Sequence, residues 1–263
     1  YDYIALRQAK KPLKRLEIEV PDHLKNFRQA GMKSVKEIVF AVRRPSTDGH
    51  WYANFGHYAG TDGTRPFHPH DGGSLRILNL DTRKVRTIFE EKHGSVRDPV
   101  LHYDGKKILF SLLKEETENY NLYEINIDGT GLRQITSGAW DDIEPCYLPN
   151  DDIVFCSSRC NRFVQCWVTP VATVHRCGPN GENIHPLSPN VEQDNTPWVL
   201  DNGQIAYTRW EYVDREQVTY HHLWTMNPDG TRQMVLFGNQ FKYQLFIGAK
   251  QVPNSRKIVA TIA

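Results

Sequence analysis

The chain has 263 residues, more than most single domains but suited to one large all-β domain. Its 32 Lys and Arg residues nearly balance its 31 Asp and Glu residues, so the formal net charge is +1 and the basic excess of a nucleic-acid-binding protein is missing. No apolar run approaches the roughly 20 residues that a membrane-spanning helix needs. Composition and charge therefore disfavour nucleic-acid partners and a helical membrane span.

Residues 1–35 carry none of the repeats described below, and only LKNFRQAG (24–31) has helical character. We therefore predict an N-terminal extension or linker at 1–35, followed by a domain at 36–263. The sequence opens on Tyr1, with no initiating Met and no basic-then-apolar leader. We expect either that a targeting segment has been removed or that this is an internal piece of a longer chain.

A short β-rich run that follows a turn recurs along the rest of the chain. Its copies are EIVFAVR (37–43), GKKILFSLL (105–113), DDIVFCSSR (151–159), GQIAYTRW (203–210) and RKIVATIA (256–263). Aligned on Ile38, Ile108, Ile153, Ile205 and Ile258, the copies are spaced by 70, 45, 52 and 53 residues. The long first interval indicates an insertion.

Two further elements accompany these runs. A Pro-containing strand and turn precedes three of them, at 97–107, 143–152 and 195–204. A strand ending in a polar turn recurs at 74–89, 121–136, 174–188 and 222–236. Alternating apolar residues indicate half-buried strands, and the Asp-Gly and Asn-Gly dipeptides supply the positive φ angles of tight turns. Each unit is therefore predicted to be four short strands joined by turns.

Packing of these units predicts the fold. A four-stranded sheet of about 45 residues cannot bury both faces alone, so copies must pack on one another, and radial packing gives a β-propeller. The copies account for about four to five blades. We expect them to be part of a six- to eight-bladed propeller, with further blades or domains of the same protein as partners.

Several strings resemble known families. YEINIDGTGLRQIT (123–136) and EPCYLPNDDIVFCSS (144–158) resemble the repeats of TolB-type propellers. YTRWEYVD (207–214) and HHLWTMNPDGT (221–231) are similar to the propeller family that includes the middle domain of the hydrazine synthase alpha subunit. The resemblance implies a propeller fold in an exported bacterial protein of the periplasm or the extracellular space.

The best-known member of that family works with c-type haems, and here the chain departs from the pattern. Covalent haem attachment needs a CxxCH motif. None of the cysteines stands in one, so neither haem binding nor hydrazine synthesis is carried over to this chain. The five cysteines lie close together in sequence: Cys146, Cys156, Cys160, Cys166 and Cys177. They could form a disulfide or remain as buried free thiols, and the sequence leaves both alternatives open. The absence of a CxxC pair disfavours a zinc site.

The first candidate site is a ring of acidic residues. In a propeller, the loops that enter the innermost strands converge around the central channel. This places Asp98, Asp142, Glu144 and Asp194 on the rim of successive blades. Such a ring would bind a divalent cation through oxygen ligands or recognise a polar substrate. Alternatively, these residues cap turns and bond to their own backbone.

The second candidate site lies in the stretch 208–231, with one residue from the preceding blade. Its candidate catalytic residues are Arg209, Glu211, Asp214, His221 and Arg159. Strand alternation places Arg209 and Glu211 on one face. This pair would hold a sugar ring beside Trp210 and Tyr212, or it would form an ion pair that sets blade register.

A third candidate is the pair His68 and His70, whose spacing can place two imidazoles on one side of an extended chain for metal binding. Pro69 indicates a loop, in which such pairs are commonly solvated. No GxSxG, P-loop, HExxH or GxGxxG motif is present, and no cofactor is evident. We favour a module that binds or scaffolds a protein, a polysaccharide or another polar ligand. A polysaccharide lyase or glycosidase-like enzyme and a hydrazine-synthase-like redox subunit are the alternatives.

Overall fold

The structure, a computed structural model, describes residues 34–43, 72–166, 169–214, 217, 219–241 and 244–262. Over these ranges the regular structure is β-strand, apart from one 3-10 turn at Ser158–Cys160. The helical pattern at 24–31 and the histidines at 68 and 70 lie outside them.

The strands form five antiparallel sheets. The first sheet holds β1 (Glu37–Arg43), β2 (Gly73–Asn79) and β3 (Val85–Glu91). The second holds β4 (Ser95–Leu101), β5 (Lys107–Leu113), β6 (Asn121–Asn126) and β7 (Arg133–Gln134). The third holds β8 (Asp142–Tyr147), β9 (Ile153–Ser157), β10 (Thr173–Cys177) and β11 (His185–Pro186). The fourth holds β12 (Asp194–Val199), β13 (Ile205–Trp210), β14 (His221–Met226) and β15 (Met234–Phe237), and the fifth holds β16 (Phe246–Gln251) and β17 (Ile258–Ile262).

These sheets are the blades of a propeller, as predicted. Within each sheet, every strand pairs with the strand that follows it in sequence. The first strands of consecutive sheets contact each other, β4 with β8, β8 with β12 and β12 with β16. The isoleucines aligned in the sequence fall in the second strands β5, β9, β13 and β17, and in β1 of the first sheet. Because β1 pairs directly with β2, the extra length of the first interval falls between these two strands.

The hydrophobic core lies between blades. Leu75 of β2 packs in one cluster with Phe110 of β5, and Leu109 of β5 packs in another with Phe155 of β9. A third cluster joins the third and fourth sheets and includes the buried Tyr207. Each sheet therefore covers the face of the next, which is the reason that a unit of this size is stable only in an array.

The turns between the third and fourth strands hold the blades together. Each of these turns has a glycine with positive φ that lies close to a carbonyl oxygen of the preceding blade. A Cβ built on the glycine would lie 2.7 Å from the Ile88 oxygen at Gly129, 1.8 Å from the Ile135 oxygen at Gly181 and 2.7 Å from the Leu187 oxygen at Gly230. An arginine of the preceding blade also donates a hydrogen bond to a carbonyl oxygen of each turn. Arg86 donates to Ile127 at 3.0 Å, Arg133 to Pro179 at 3.1 Å and Arg176 to Pro228 at 2.8 Å. Each of these turns is therefore packed against, and hydrogen-bonded to, the preceding blade.

The five cysteines are free thiols in this structure. Cys146, Cys156 and Cys177 are buried among the blade cores. Burial raises the pKa of the Cys146 and Cys177 thiols to about 12. These thiols therefore stay protonated and pack as small apolar groups.

Among the described residues, no helix combines the length and the apolar character that crossing a membrane requires.

Candidate functional site

The innermost strands share a bulge at one position. Asp98, Glu144, Thr196 and Gly248 have φ angles of 54, 53, 49 and 64°, and the pairing of each strand with its neighbour shifts there. In three of the four blades the next residue is a proline. Four successive blades therefore turn their backbone at equivalent points, which brings these residues side by side.

The four bulge residues are linked by hydrogen bonds from blade to blade. The Glu144 backbone N–H donates to Asp98 Oδ2 at 3.1 Å, and the Thr196 N–H donates to Glu144 Oε2 at 2.5 Å. The Gly248 N–H donates to Thr196 Oγ1 at 3.1 Å. We call Asp98, Glu144, Thr196 and Gly248 the inter-blade relay. Thr196 and Gly248 were missed from the sequence, although Pro197 marks the first of them.

Arg97 lies against the first two members of the relay. Its Nε donates to Asp98 Oδ2 at 2.5 Å, and its Nη2 lies 3.4 Å from Glu144 Oε1. The Arg97 side chain is 3% exposed and its guanidinium carbon is 5.7 Å from the centre of the Tyr120 ring. Its Nη1 is buried with no hydrogen-bond partner. One donor of a buried cation therefore remains unsatisfied.

The relay borders a cavity of about 280 Å³, which we call the channel cavity. Its polar lining consists of Arg43, Arg97, Asp98, Glu144, Thr196 and Lys250. A second cavity of about 190 Å³, lined by Tyr103, Cys146 and Tyr147, shares Val100 and Trp198 with it. Lys250 Nζ lies 3.4 Å from the centre of the Trp198 ring. A polar space and an aromatic space thus lie next to each other along the inner strands.

Asp194 forms an ion pair within its own blade. It is fully buried, and Arg209 Nε donates to its Oδ1 at 3.0 Å. Arg209 Nη2 also donates to Ser188 Oγ and to Gln233 Oε1, both at 2.8 Å. The guanidinium lies over the rings of Trp224 and Tyr207, at 4.6 and 5.1 Å. Burial raises the pKa of the Asp194 carboxyl, and Arg209 opposes this rise.

Asp142 is the equivalent of Asp194 one blade earlier. It is also fully buried, accepts from Ser157 Oγ at 2.7 Å and bonds to Arg159, whose guanidinium lies over Trp140 at 5.1 Å. The four acids predicted to form one ring therefore divide into two sets. Asp98 and Glu144 border the channel cavity, whereas Asp142 and Asp194 are enclosed within their blades.

The five candidate catalytic residues are distributed over two blades. Glu211 Oε2 lies 2.5 Å from His222 Nδ1, whereas Arg209 bonds to Asp194, so the expected pairing of Arg209 with Glu211 was wrong. His221 is buried and stacks on Trp210 with ring centres 5.1 Å apart, and burial lowers its pKa to about 3. Asp214 is exposed. The catalytic assignment of these residues stays a prediction.

The metal candidates His68 and His70 lie outside the described residues. Within the ranges that the structure describes, no group of three or more His, Cys, Asp or Glu side chains is arranged to hold a metal ion.

Glu144 should make the stability of the fold depend on pH. Burial raises the pKa of its carboxyl to about 7; Arg97 opposes the rise and Asp98 adds to it. The folded state then binds more protons than the unfolded state between about pH 4.5 and 7, so the free energy of unfolding should fall as pH rises through that window. In Glu144→Gln this fall should be smaller, because the amide oxygen can still accept from Thr196 but does not titrate.

Chemical denaturation between about pH 5 and 8 measures this effect. Glu115→Gln, at an exposed position, is the matched control and should follow the wild type. Equal pH slopes for Glu144→Gln and the wild type would contradict the prediction.

The arrangement of the blades defines the class: the chain has a β-propeller fold, which TolB-type proteins share. A solved TolB-type structure, the putative TolB from Agrobacterium tumefaciens, aligns with 63% of this chain and 56% of its own, at a TM-score of 0.50 and 17% identity. Oligogalacturonate lyase in complex with manganese aligns with 85% of this chain and 58% of its own, at a TM-score of 0.51 and 14% identity. At these identities the likeness concerns the fold alone.

The chain is also similar to hydrazine synthase of Kuenenia stuttgartiensis. A chain of its solved structure aligns with 87% of this chain at a TM-score of 0.70 and 18% identity. The aligned part is 35% of that hydrazine synthase chain. In sequence, the alpha subunit of that enzyme is 28% identical over 102 residues, which are 39% of this chain and 11% of the subunit. No protein-family model matches the chain.

Proposed function

We propose that this chain is the propeller module of a larger exported bacterial protein and that it holds a partner domain or a polar ligand without catalysing a reaction. The observation that carries this proposal is that two of the candidate catalytic residues, Arg209 and Arg159, form buried ion pairs inside the blades. Arg209 bonds to Asp194 and Arg159 to Asp142, each inside one blade.

Burial explains why these pairs suit a structural role. The Asp194 and Asp142 side chains have no exposed surface, and their arginine partners are 10% and 15% exposed. Removing one member of such a pair leaves the other charged group buried without compensation. A substrate that competed for either arginine would therefore act against the fold. The relay engages Asp98 and Glu144 in the same way, and the channel cavity remains as the polar space.

Further blades or domains of the same protein are the partners that we propose. This chain covers about a third of the hydrazine synthase chain that it resembles, 35%. Likeness to TolB-type propellers, among them that from Agrobacterium tumefaciens, is compatible with export.

A carbohydrate-active enzyme is the second candidate, and two observations favour it. Oligogalacturonate lyase shares the fold over 85% of this chain. In addition, Lys250 lines the channel cavity and is suited to neutralise the carboxylate of an acidic sugar. The sequence similarity to hydrazine synthase subunit alpha supports a third candidate, a redox subunit.

One set of measurements on the intact protein separates the three. Limited proteolysis followed by size-exclusion chromatography should show the propeller still bound to the rest of the protein. Incubation with acidic oligosaccharides and Mn²⁺ should yield no unsaturated product, and visible spectra should show no Soret band. A propeller that elutes alone contradicts the module proposal. Turnover would favour the lyase, and a Soret band with stoichiometric iron would favour the redox subunit.

A further inference from the structure

We propose that a β-hairpin from the rest of the protein completes the fifth sheet by pairing with β17. This inference rests on the proposed function and deepens it, because it names the segment of the partner that contacts this chain and the surface that receives it.

The surface is an apolar groove between the fourth and fifth sheets. Its volume is about 560 Å³, and Leu236, Phe237, Phe246 and Ile258 line it. Every residue of β17 is exposed or half-buried, whereas β5, β9 and β13, the second strands of the three preceding sheets, are buried almost throughout. Contiguous exposed apolar surface is typical of an interaction site.

β17 can also accept a strand through its backbone. Within the described ranges it pairs only with β16, whereas β5, β9 and β13 each pair with a strand on either side. The N–H and C=O groups along an unpaired strand edge are a template for a further strand. The groove and this edge together are therefore suited to a β-strand.

The three preceding interfaces show what covers such a groove. In each, an isoleucine of the second strand lies opposite a buried residue of the third strand: Ile108 opposite Ile125, Ile153 opposite Cys177 and Ile205 opposite Met226. Each pair shares an apolar cluster with one residue of the preceding blade, which is Ile88, Ile135 and Leu187 in turn. A third strand thus closes the groove at all three interfaces.

Leu236 and Ile258 occupy the equivalent places on the open groove. Ile258 is the aligned isoleucine of the second strand β17. Leu236, Ile135 and Leu187 each directly follow the residue that lies opposite an equivalent third-strand position, which is Trp224, Tyr123 and His175 in turn. Leu236 is 39% exposed, however, whereas Ile135 and Leu187 are each 6% exposed. A third strand paired with β17 would supply the side chain that covers Leu236.

The repeats also specify the sequence of the hairpin. A glycine comes four positions after the buried third-strand residue: Gly129 after Ile125, Gly181 after Cys177 and Gly230 after Met226. These glycines pack on the carbonyl oxygens of Ile88, Ile135 and Leu187, the residues equivalent to Leu236. The hairpin should therefore place an apolar residue opposite Ile258 and, four positions later, a glycine on the Leu236 carbonyl oxygen.

Hydrogen exchange of the intact wild-type protein tests whether β17 is paired on both sides. The amides of β17 should exchange within about tenfold of the rate of those of β13, which has a strand on either side. β15, which in the described part of the chain pairs only with β14, is the edge-strand reference and should exchange faster. Exchange of β17 at the rate of β15 would overturn the inference.

Photo-cross-linking of the intact protein identifies the segment. Leu236→p-benzoylphenylalanine should cross-link, on irradiation, to a stretch of the same polypeptide that has an apolar residue and a glycine four positions later, located by peptide mass spectrometry. Phe163→p-benzoylphenylalanine, at an exposed position in the loop between β9 and β10, is the matched control and should not capture that stretch. A cross-link from position 236 to a second copy, to another protein or to a stretch without this pattern contradicts the inference.

Failure of this inference is distinguishable from failure of the proposed function. If β17 exchanges as fast as β15 while the propeller stays bound to the rest of the protein after proteolysis, only the hairpin inference is lost. If the propeller also elutes alone, the proposed function fails with it.

Discussion

Replacing Arg209 by Met should lower the free energy of unfolding by about 3–5 kcal/mol, the range for breaking a buried ion pair. The variant leaves Asp194 fully buried without its cation and removes the donor to Ser188 and Gln233. Met keeps most of the stem that packs on Trp224 and Tyr207, so the loss should come from charge and hydrogen bonding more than from packing. Urea denaturation followed by circular dichroism measures it.

A double-mutant cycle isolates the pair. Asp194→Asn combined with Arg209→Met removes both charges, and the double variant should be more stable than the sum of the two single losses implies. Arg83→Met, at an exposed turn position, is the control for loss of an arginine. If Arg209→Met is as stable as the wild type, the ion pair does not hold the blade together. The prediction that Arg209 serves a binding or catalytic site would then gain weight.

Gly181→Ala should also be damaging, by about 2–5 kcal/mol when the costs of a left-handed backbone and of overpacking are added. Gly181 has a φ of +82°, and its new Cβ would lie 1.8 Å from the Ile135 carbonyl oxygen of the preceding blade. The clash is with backbone, so no side-chain rotation can relieve it. Thermal and urea unfolding of the variant give the loss.

Gly203 offers a matched control for the Gly181→Ala variant. Gly203 has the same φ of +82°, and apart from Gly203 and its two chain neighbours no described atom lies within 4 Å of the position that a Cβ would take there. Gly203→Ala therefore carries the backbone cost alone, about 1–2 kcal/mol. The difference between the two variants measures the docking of the turn on the neighbouring blade. Equal losses at the two positions would show that this close approach contributes nothing to stability.

The repeats could be predicted from sequence because their signals are local. Alternating apolar residues and Asp-Gly turns specify a strand or a hairpin within a few positions, and their recurrence indicates the radial array. Four of the five aligned isoleucines lie in the second strand of their sheet for the same reason. The docking of Gly181 on Ile135 left no such signal, because its partner is a backbone carbonyl 46 residues earlier.

The candidate sites were harder to predict because a bulge alters which way side chains face. Asp142 and Glu144 are two residues apart, so regular alternation would place them on one face. The pairing shifts between Ile143 and Cys146, where Glu144 has a φ of 53°, and Glu144 borders the cavity whereas Asp142 is enclosed in its blade. Likewise, the partner of Arg209 is set by strand register, which places it opposite Asp194. Local sequence does not encode that register.

The inter-blade relay bears on how such arrays diverge. Its donor is always a main-chain N–H, and its acceptor is the side chain of Asp98, Glu144 or Thr196. Any residue except proline supplies the donor, and several residue types supply the acceptor. Neighbouring repeats therefore need no co-evolved partner residues at this contact. A duplicated or exchanged repeat would join its neighbour correctly at once, so repeat sequences can drift far apart while the array keeps its geometry.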